Sequence, residues 1–448
     1  MSNPTLADVA RRTVDAAKKA GAATAVVHVG HSQEFDLECR NGELENLSEA
    51  EGFSLSLTVS REGRRASVHS CDFSEQALTD LVEKALVLCR HTDPDPFYDL
   101  PDPAWLAVEV RDLDLMDEHL TRLSVAKKSE MAREVERLAL ALDSRLQSDG
   151  SSVSCHISHV VLANSLGFCQ QERSSMVSCG LSLFAEDEVH DADLNSGRKQ
   201  GGGWATSARH LEDLKAPEEL ARRAAQDVLE RLGARKPKTG MTSAYFEPDA
   251  ARSLWGHLLA AIHGGAIYRK ESFLADRLGS SIFPEFVDLY EDPFLPRGQG
   301  SRFFDGEGVA CTPGFLIQGG VLKSFLLNCY SARKLAMASN GHSGGAHNLR
   351  VTPGHLSQDE LLARMGQGVW VRDLAGQGVN MATGDYSRGA EGFWVENGQR
   401  SFPIAECTLS GNLGEMFAHI LAVGSEIETG YFLETPGLLI EGLTLAGN

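Results

Sequence analysis

No C-x-x-C pair occurs among the nine cysteines, which are scattered singly at 39, 71, 89, 155, 169, 179, 311, 329 and 407. That spacing excludes a zinc knuckle and a disulfide framework, and an odd, dispersed set reads as reduced thiols of a cytoplasmic protein. Long apolar runs are also missing. The longest, "GLSLFA" and "ILAVG", fall far short of the roughly 20 residues of a membrane span. The opening segment "MSNPTLADVARRTVDAAKKAG" is amphipathic and mixes acids with bases, so no secretory signal is expected. Basic residues are outnumbered, 42 to 62, giving a net charge of −20 without a long Lys/Arg cluster. Phosphate backbones repel such a surface, so neither direct nucleic-acid binding nor membrane association is expected.

Several catalytic signatures are absent as well. There is no G-x-S-x-G elbow, no G-x-G-x-x-G between a strand and a helix, and "GQGVNMATGDYSRG" lacks the lysine of a phosphate loop.

What is present indicates an α+β protein with antiparallel sheets and flanking helices. A chain of 448 residues exceeds one ordinary core, so two or three domains are expected. Residues 1–100 read as an α-β-β-β-α unit. Asn41-Gly42 and Glu62-Gly63 mark turns, and Ser74 caps a helix that starts at Glu75. The stretch "TDPDPFYDLPDPAWL" holds four of the fifteen prolines and reads as a linker. Residues 101–235 read as a helix over 119–146, a strand region, and a helix opening at Pro217. Residues 236–448 read as a Gly-rich, β-dominated unit. Hairpin turns are placed at Gly319-Gly320 and Asn397-Gly398, and "LLARMGQGVWVRDLA" is taken as a strand candidate.

Histidines carry the candidate chemistry. "SLWGHLLAAIHGG" places His257 and His263 in an apolar helix. Zinc-binding helices use H-E-x-x-H because four residues leave both rings on one face; six residues put them about 120° apart. Leu258 stands where the acid that activates water would be. Gly264-Gly265 read as a helix stop, leaving His263 in the last turn. In "NGHSGGAHN", His342 and His347 lie in a Gly-rich loop, read as a tight turn between strands whose amides could cradle an anion. "EDEVHDAD" (186–193) reads as a solvated acidic loop, lacking the acid spacing of a calcium loop. No residue is assigned as catalytic, cofactor-binding or metal-ligating on this basis.

Four long segments resemble one family. They are "GQGVNMATGDYSRGAEGFWVENG", "GGAIYRKESFLADRLGSSIFP", "YSARKLAMASNGHSGGAHN" and "TLSGNLGEMF". With the N-terminal "RNGELENLSEAEGFSLSLTV" and "DPDPFYDLPDP", they are similar to the PmbA/TldE family, the sister branch of TldD. The resemblance spans essentially the whole chain. It implies a cytoplasmic two-protein zinc peptidase for unfolded peptides, in which a TldD-like subunit carries H-E-x-x-x-H and a cysteine near its C-terminus. Here Leu258 replaces the glutamate, the second histidine falls one residue late at 263, and "FLETPGLL" offers Thr435 or Pro436 near the thiol position, with no cysteine after Cys407. The expectation is a non-catalytic subunit without a cofactor of its own, pairing with a TldD-like chain that holds the zinc, or forming a homodimer when alone. Other readings are a stand-alone metallopeptidase with an unconventional site built from His257, His342 or His347, and a homodimeric modulator or binding protein without peptidase activity; modulation of DNA gyrase inhibition is among the roles the resemblance implies.

Overall fold

The computed structural model describes residues 5–187 and 199–447. The chain opens with α1 (Leu6–Lys19), capped by Thr5, whose side chain and that of Asp8 bond each other's backbone N–H. Three strands follow, β1 (Thr24–Arg40), β2 (Glu43–Arg61) and β3 (Arg64–Ser70), before α2 (Glu75–Cys89), capped by Ser74. Both predicted turns lie where expected: Asn41 and Gly42 have φ of 52° and 77°, and Glu62 and Gly63 have 55° and 72°. The middle region supplies α3 (Val125–Leu140), β4 (Gln147–Asn164), β5 (Cys169–Glu186), β6 (Lys199–Ala208) and α4 (Pro217–Arg231). Helix α3 is shorter than the predicted 119–146. Ser124 accepts from Lys127 N and starts it late, and 120–122 forms only a 3-10 turn.

These six strands make one antiparallel sheet in the order β3-β2-β1-β4-β5-β6. Strand β1 pairs with β4 from Val26↔Asn164 to Cys39↔Ser151, so the N-terminal and middle units share a sheet. Alternation explains how one long strand serves two cores. Ala25, Val27 and Val29 face α1 and α2, while Phe35, Leu37 and Cys39 face α3 and α4. All six are odd-numbered, so both helix pairs cover the same face. On the opposite face, Val26 and Leu162 meet Phe168, Phe303 and Phe304, which fixes the C-terminal unit against the sheet.

That unit contains β7 (Gly240–Phe246), α5 (Pro248–Ala261), α6 (Gly264–Arg269), β8 (Leu289–Asp292), β9 (Gly314–Gln318), β10 (Val321–Leu322), α7 (Cys329–Lys334), β11 (Asn348–Val351), α8 (Gln358–Met365), β12 (Gly368–Ala375) and β13 (Val379–Asn380). It ends with β14 (Asp385–Glu396), β15 (Gln399–Asn412), α9 (Leu413–Ala418), β16 (Ile420–Val423), β17 (Leu433–Glu434) and β18 (Leu438–Ala446). One sheet runs β10-β9-β8-β11-β17. The other runs β12-β7-β18-β15-β14-β13, and an extra β12–β14 pairing closes it on itself. The first part of "LLARMGQGVWVRDLA" is helical, not extended: Ser357 and Glu360 form a capping box that starts α8. Of the stretch 92–106, only Pro103–Trp105 forms a helical turn. Arg333 of α7 holds this segment by donating to the carbonyls of Phe97 (3.2 Å), Asp99 (2.9 Å) and Leu100.

Candidate functional site

Helix α5 starts at Pro248, directly after β7. Its buried side is Ala250, Ala251, Leu254, Trp255, Leu258 and Ala261, the spacing of a helix with one face in the core. Leu258 is fully buried in the large C-terminal core, so position 258 points into packing and away from solvent. His257 lies beside that face, its ring edge-on to Tyr386 with centroids 6.1 Å apart. Among the described residues, neither its buried Nε2 nor the buried Tyr386 hydroxyl has a hydrogen-bond partner. Burial, with the nearby Arg388 guanidinium second, lowers the His257 pKa and keeps the ring neutral. Arg388 itself bonds Ser253 Oγ (3.2 Å) and the carbonyls of Leu374 (2.8 Å) and Ala375 (3.2 Å).

His263 does not sit in the last turn of this helix, contrary to the sequence reading. Helix α5 ends at Ala261, and His263 is extended (φ −65°, ψ 128°) as the N-cap of α6, with Nδ1 accepting from Gly265 N at 3.2 Å. The paired glycines therefore begin a helix. Gly264 is required by contact: a Cβ there would lie 2.4 Å from Ser331 Oγ and 2.9 Å from Leu327 Cδ2. The two rings are thus separated by a break in the chain direction.

The C-terminal position faces α5. Thr435 is 0% exposed, accepts a bond from Trp255 Nε1 at 2.9 Å and donates to Pro436 O at 2.9 Å. Cys407 is buried in β15, donates to Ala390 O at 3.1 Å, and has its thiol pushed up to about 11 by burial. Around His257 the chain therefore presents one unpaired imidazole nitrogen, an apolar side chain at 258 and a hydroxyl already engaged at 435. This donor set does not match the three protein ligands and nearby acid of a catalytic zinc.

His342 and His347 are not in a turn between strands. They lie between α7 and β11, buried and stacked, with centroids 5.2 Å apart and planes 19° apart. Glu291 of β8 joins them: Oε2 lies 2.8 Å from His342 Nε2, and Oε1 accepts from His347 N at 2.6 Å. Burial alone would raise the Glu291 pKa, but the His342 bond and the adjacent imidazoles more than offset it, and the net shift is downward. Burial pushes His347 down to about 4, against the pull of Glu291. The loop amides cradle a residue of the chain itself: Ser343 N donates to Asp305 Oδ2 at 2.9 Å. Among the described residues, Glu291, His342 and His347 form the one group of three or more His, Cys, Asp or Glu with ligand atoms within 4.8 Å of one another. Glu291 was not found from the sequence. It sits 51 positions from His342, and nothing local to "DLYEDPF" marks it. The acidic stretch 186–193 lies, from 188 onward, outside the described residues.

The chain thus has a three-part architecture in which α5 faces the segment between β17 and β18 through the Trp255–Thr435 bond. The three domain models of the PmbA/TldA metallopeptidases match: domain 1 over residues 25–89, the central domain over 118–232 and the C-terminal domain over 239–447. The chain belongs to the PmbA/TldD metallopeptidase family. It is 38% identical to the metalloprotease PmbA of Escherichia coli O157:H7, with 94% of this chain and 92% of that protein covered. It is 36% identical to the PmbA homolog of Haemophilus influenzae, covering 97% and 94%. Among solved structures, a Bacteroides thetaiotaomicron protein provisionally described as a modulator of DNA gyrase superimposes with a TM-score of 0.92 at 27% identity, covering 98% of each chain. TldE from Thermococcus kodakarensis shares the fold (TM-score 0.85, 20% identity, 98% and 100% covered). No helix among the described residues is long and apolar enough to cross a membrane.

Proposed function

We propose that this chain is the TldE-type subunit of a cytoplasmic two-protein zinc peptidase acting on unfolded peptides, and that its partner, a TldD-like chain, holds the catalytic zinc. The observation that carries the reading is Leu258. A fully buried side chain occupies the place of the water-activating acid, beside a lone imidazole whose nitrogen has no partner. A site so arranged cannot polarise water for amide cleavage. The subunit's contribution is to enclose and to bind. Strand β2 pairs with β3 only from Leu55 onward, so residues 43–54 keep an outer edge without a strand partner among the described residues. That edge displays Leu44, Leu47 and Phe53 to solvent. An extended chain can add to such an edge through its backbone, with apolar side chains supplying grip.

The test is peptidase activity on an unstructured peptide, assayed for each chain alone and for the two together. The lone chain is expected to be silent and the mixture active. Hydrolysis by the isolated chain at the rate of the mixture would reject the reading.

A further inference from the structure

We propose that Glu291, His342 and His347 form a closed site for one divalent transition-metal ion of the zinc and cobalt class, separate from helix α5. The hydrogen bonds around the cluster leave one potential ligand atom on each residue that is not engaged outside it. His342 Nδ1 lies 2.8 Å from Asn340 Oδ1. That atom is fixed as the oxygen, because it accepts from Leu327 N while Asn340 Nδ2 donates to Ser324 Oγ and Phe325 O. Nδ1 of His342 therefore carries hydrogen, and Nε2 is the nitrogen left for a metal. His347 Nε2 faces Gly341 O at 3.1 Å, so it too carries hydrogen. The remaining nitrogen, Nδ1, is buried with no partner, on a residue 1% exposed. Glu291 Oε1 is occupied by His347 N, which leaves Oε2.

Each ligand is thus held from behind by a hydrogen bond that selects its tautomer or orientation, the arrangement that supports metal-binding histidines. Two neutral imidazoles and one carboxylate suit zinc or cobalt, whereas calcium and magnesium take oxygen ligands. One potential ligand atom from each of the three residues lies within 4.8 Å of the other two. Tetrahedral bonds of about 2.0–2.1 Å require them about 3.3 Å apart, so the ion would draw the cluster together. His342 faces acceptors at both nitrogens, and His347 Nδ1, an acceptor, has no donor among the described residues. Exposures of 2%, 5% and 1% for Glu291, His342 and His347 leave no face for a peptide. The ion would tie β8 to the segment before β11, with a water molecule completing the tetrahedron. This departs from the expectation of a chain without any metal, and it does not depend on the proposed function, which concerns turnover.

The test uses the untagged full chain, stripped with a chelator, incubated with Co²⁺ alone and dialysed. One Co²⁺ per chain with a visible ligand-field band is expected, displaceable by Zn²⁺. His347→Gln and Glu291→Gln should each lower retention more than about tenfold, while His257→Ala retains the ion. Anomalous scattering from crystals of the natural sequence soaked in Zn²⁺ gives a readout that needs no variant to fold, with the peak expected between the three side chains. No stoichiometric retention, retention unchanged in His347→Gln, or a peak at His257 would overturn the proposal. A buried His342–Glu291 ion pair with water at His347 Nδ1 gives the first of these results. Peptidase assays of the lone chain and the mixture read the proposed function separately.

Discussion

Trp255 Nε1 donates to Thr435 Oγ1 across 2.9 Å, with the two residues 1% and 0% exposed. This bond joins α5 to the segment between β17 and β18. Thr435→Val leaves the indole N–H buried and unpaired, a loss of about 1–3 kcal/mol. Urea unfolding should show that loss. A cost below about 0.5 kcal/mol would mean that the indole finds another acceptor.

The features legible in the sequence are those set by near neighbours. Ser74 and Pro217 start helices at the positions read from them, and Asn41-Gly42 and Gly319-Gly320 turn the chain because their φ values are positive. Reading failed where distant contacts decide. Gly264-Gly265 looked like a stop, yet the local path is set by packing on Ser331 and by Gly264 N bonding Leu326 O. Helix α8 did carry its own signal, the Ser357–Glu360 capping box, which the hydrophobic run after it obscured. The Glu291–His342 contact spans two elements and left no local trace. At 257 and 258 the identity of the side chains is a property of single positions, and the structure adds that Leu258 is buried.

His257 provides a pH test. Burial keeps its pKa below the ordinary 6.5, so below that pH the unfolded chain binds a proton that the folded chain excludes. Stability contributed at this position is therefore lost as pH falls below about 6.5, and His257→Leu should remove that part of the loss. At pH 7 the same substitution replaces an unpartnered nitrogen and should be neutral or stabilising by up to about 1 kcal/mol. Denaturant melts at pH 7 and pH 5.5 measure both. A destabilisation above about 2 kcal/mol at pH 7 would show that the imidazole has a partner in solution.

Arg333 holds the proline-rich segment through three backbone carbonyls. Arg333→Ala should cost about 1–3 kcal/mol and speed limited proteolysis between residues 92 and 105. Unchanged cleavage there would mean that the segment is held by other contacts.

Thiol reactivity should be uneven. Cys71 is exposed, Cys169 partly so, and the other seven are buried. Burial pushes Cys179 and Cys407 up to about 11 and raises Cys155, Cys311 and Cys329 as well. At pH 8 one thiol should react rapidly with an aromatic disulfide reagent, and Cys71→Ser should abolish that phase. A second fast thiol persisting in the variant would contradict the burial pattern.

The central claim is that α5 of this chain performs no chemistry. The most direct measurement is the turnover of this chain reconstituted with a TldD-like chain, when His257 here is replaced by alanine. The account predicts kcat within about twofold of the unsubstituted pair, because the scissile bond is attacked in the partner. A fall of about a hundredfold or more, with the pair still assembled, would place His257 in the active site and contradict it.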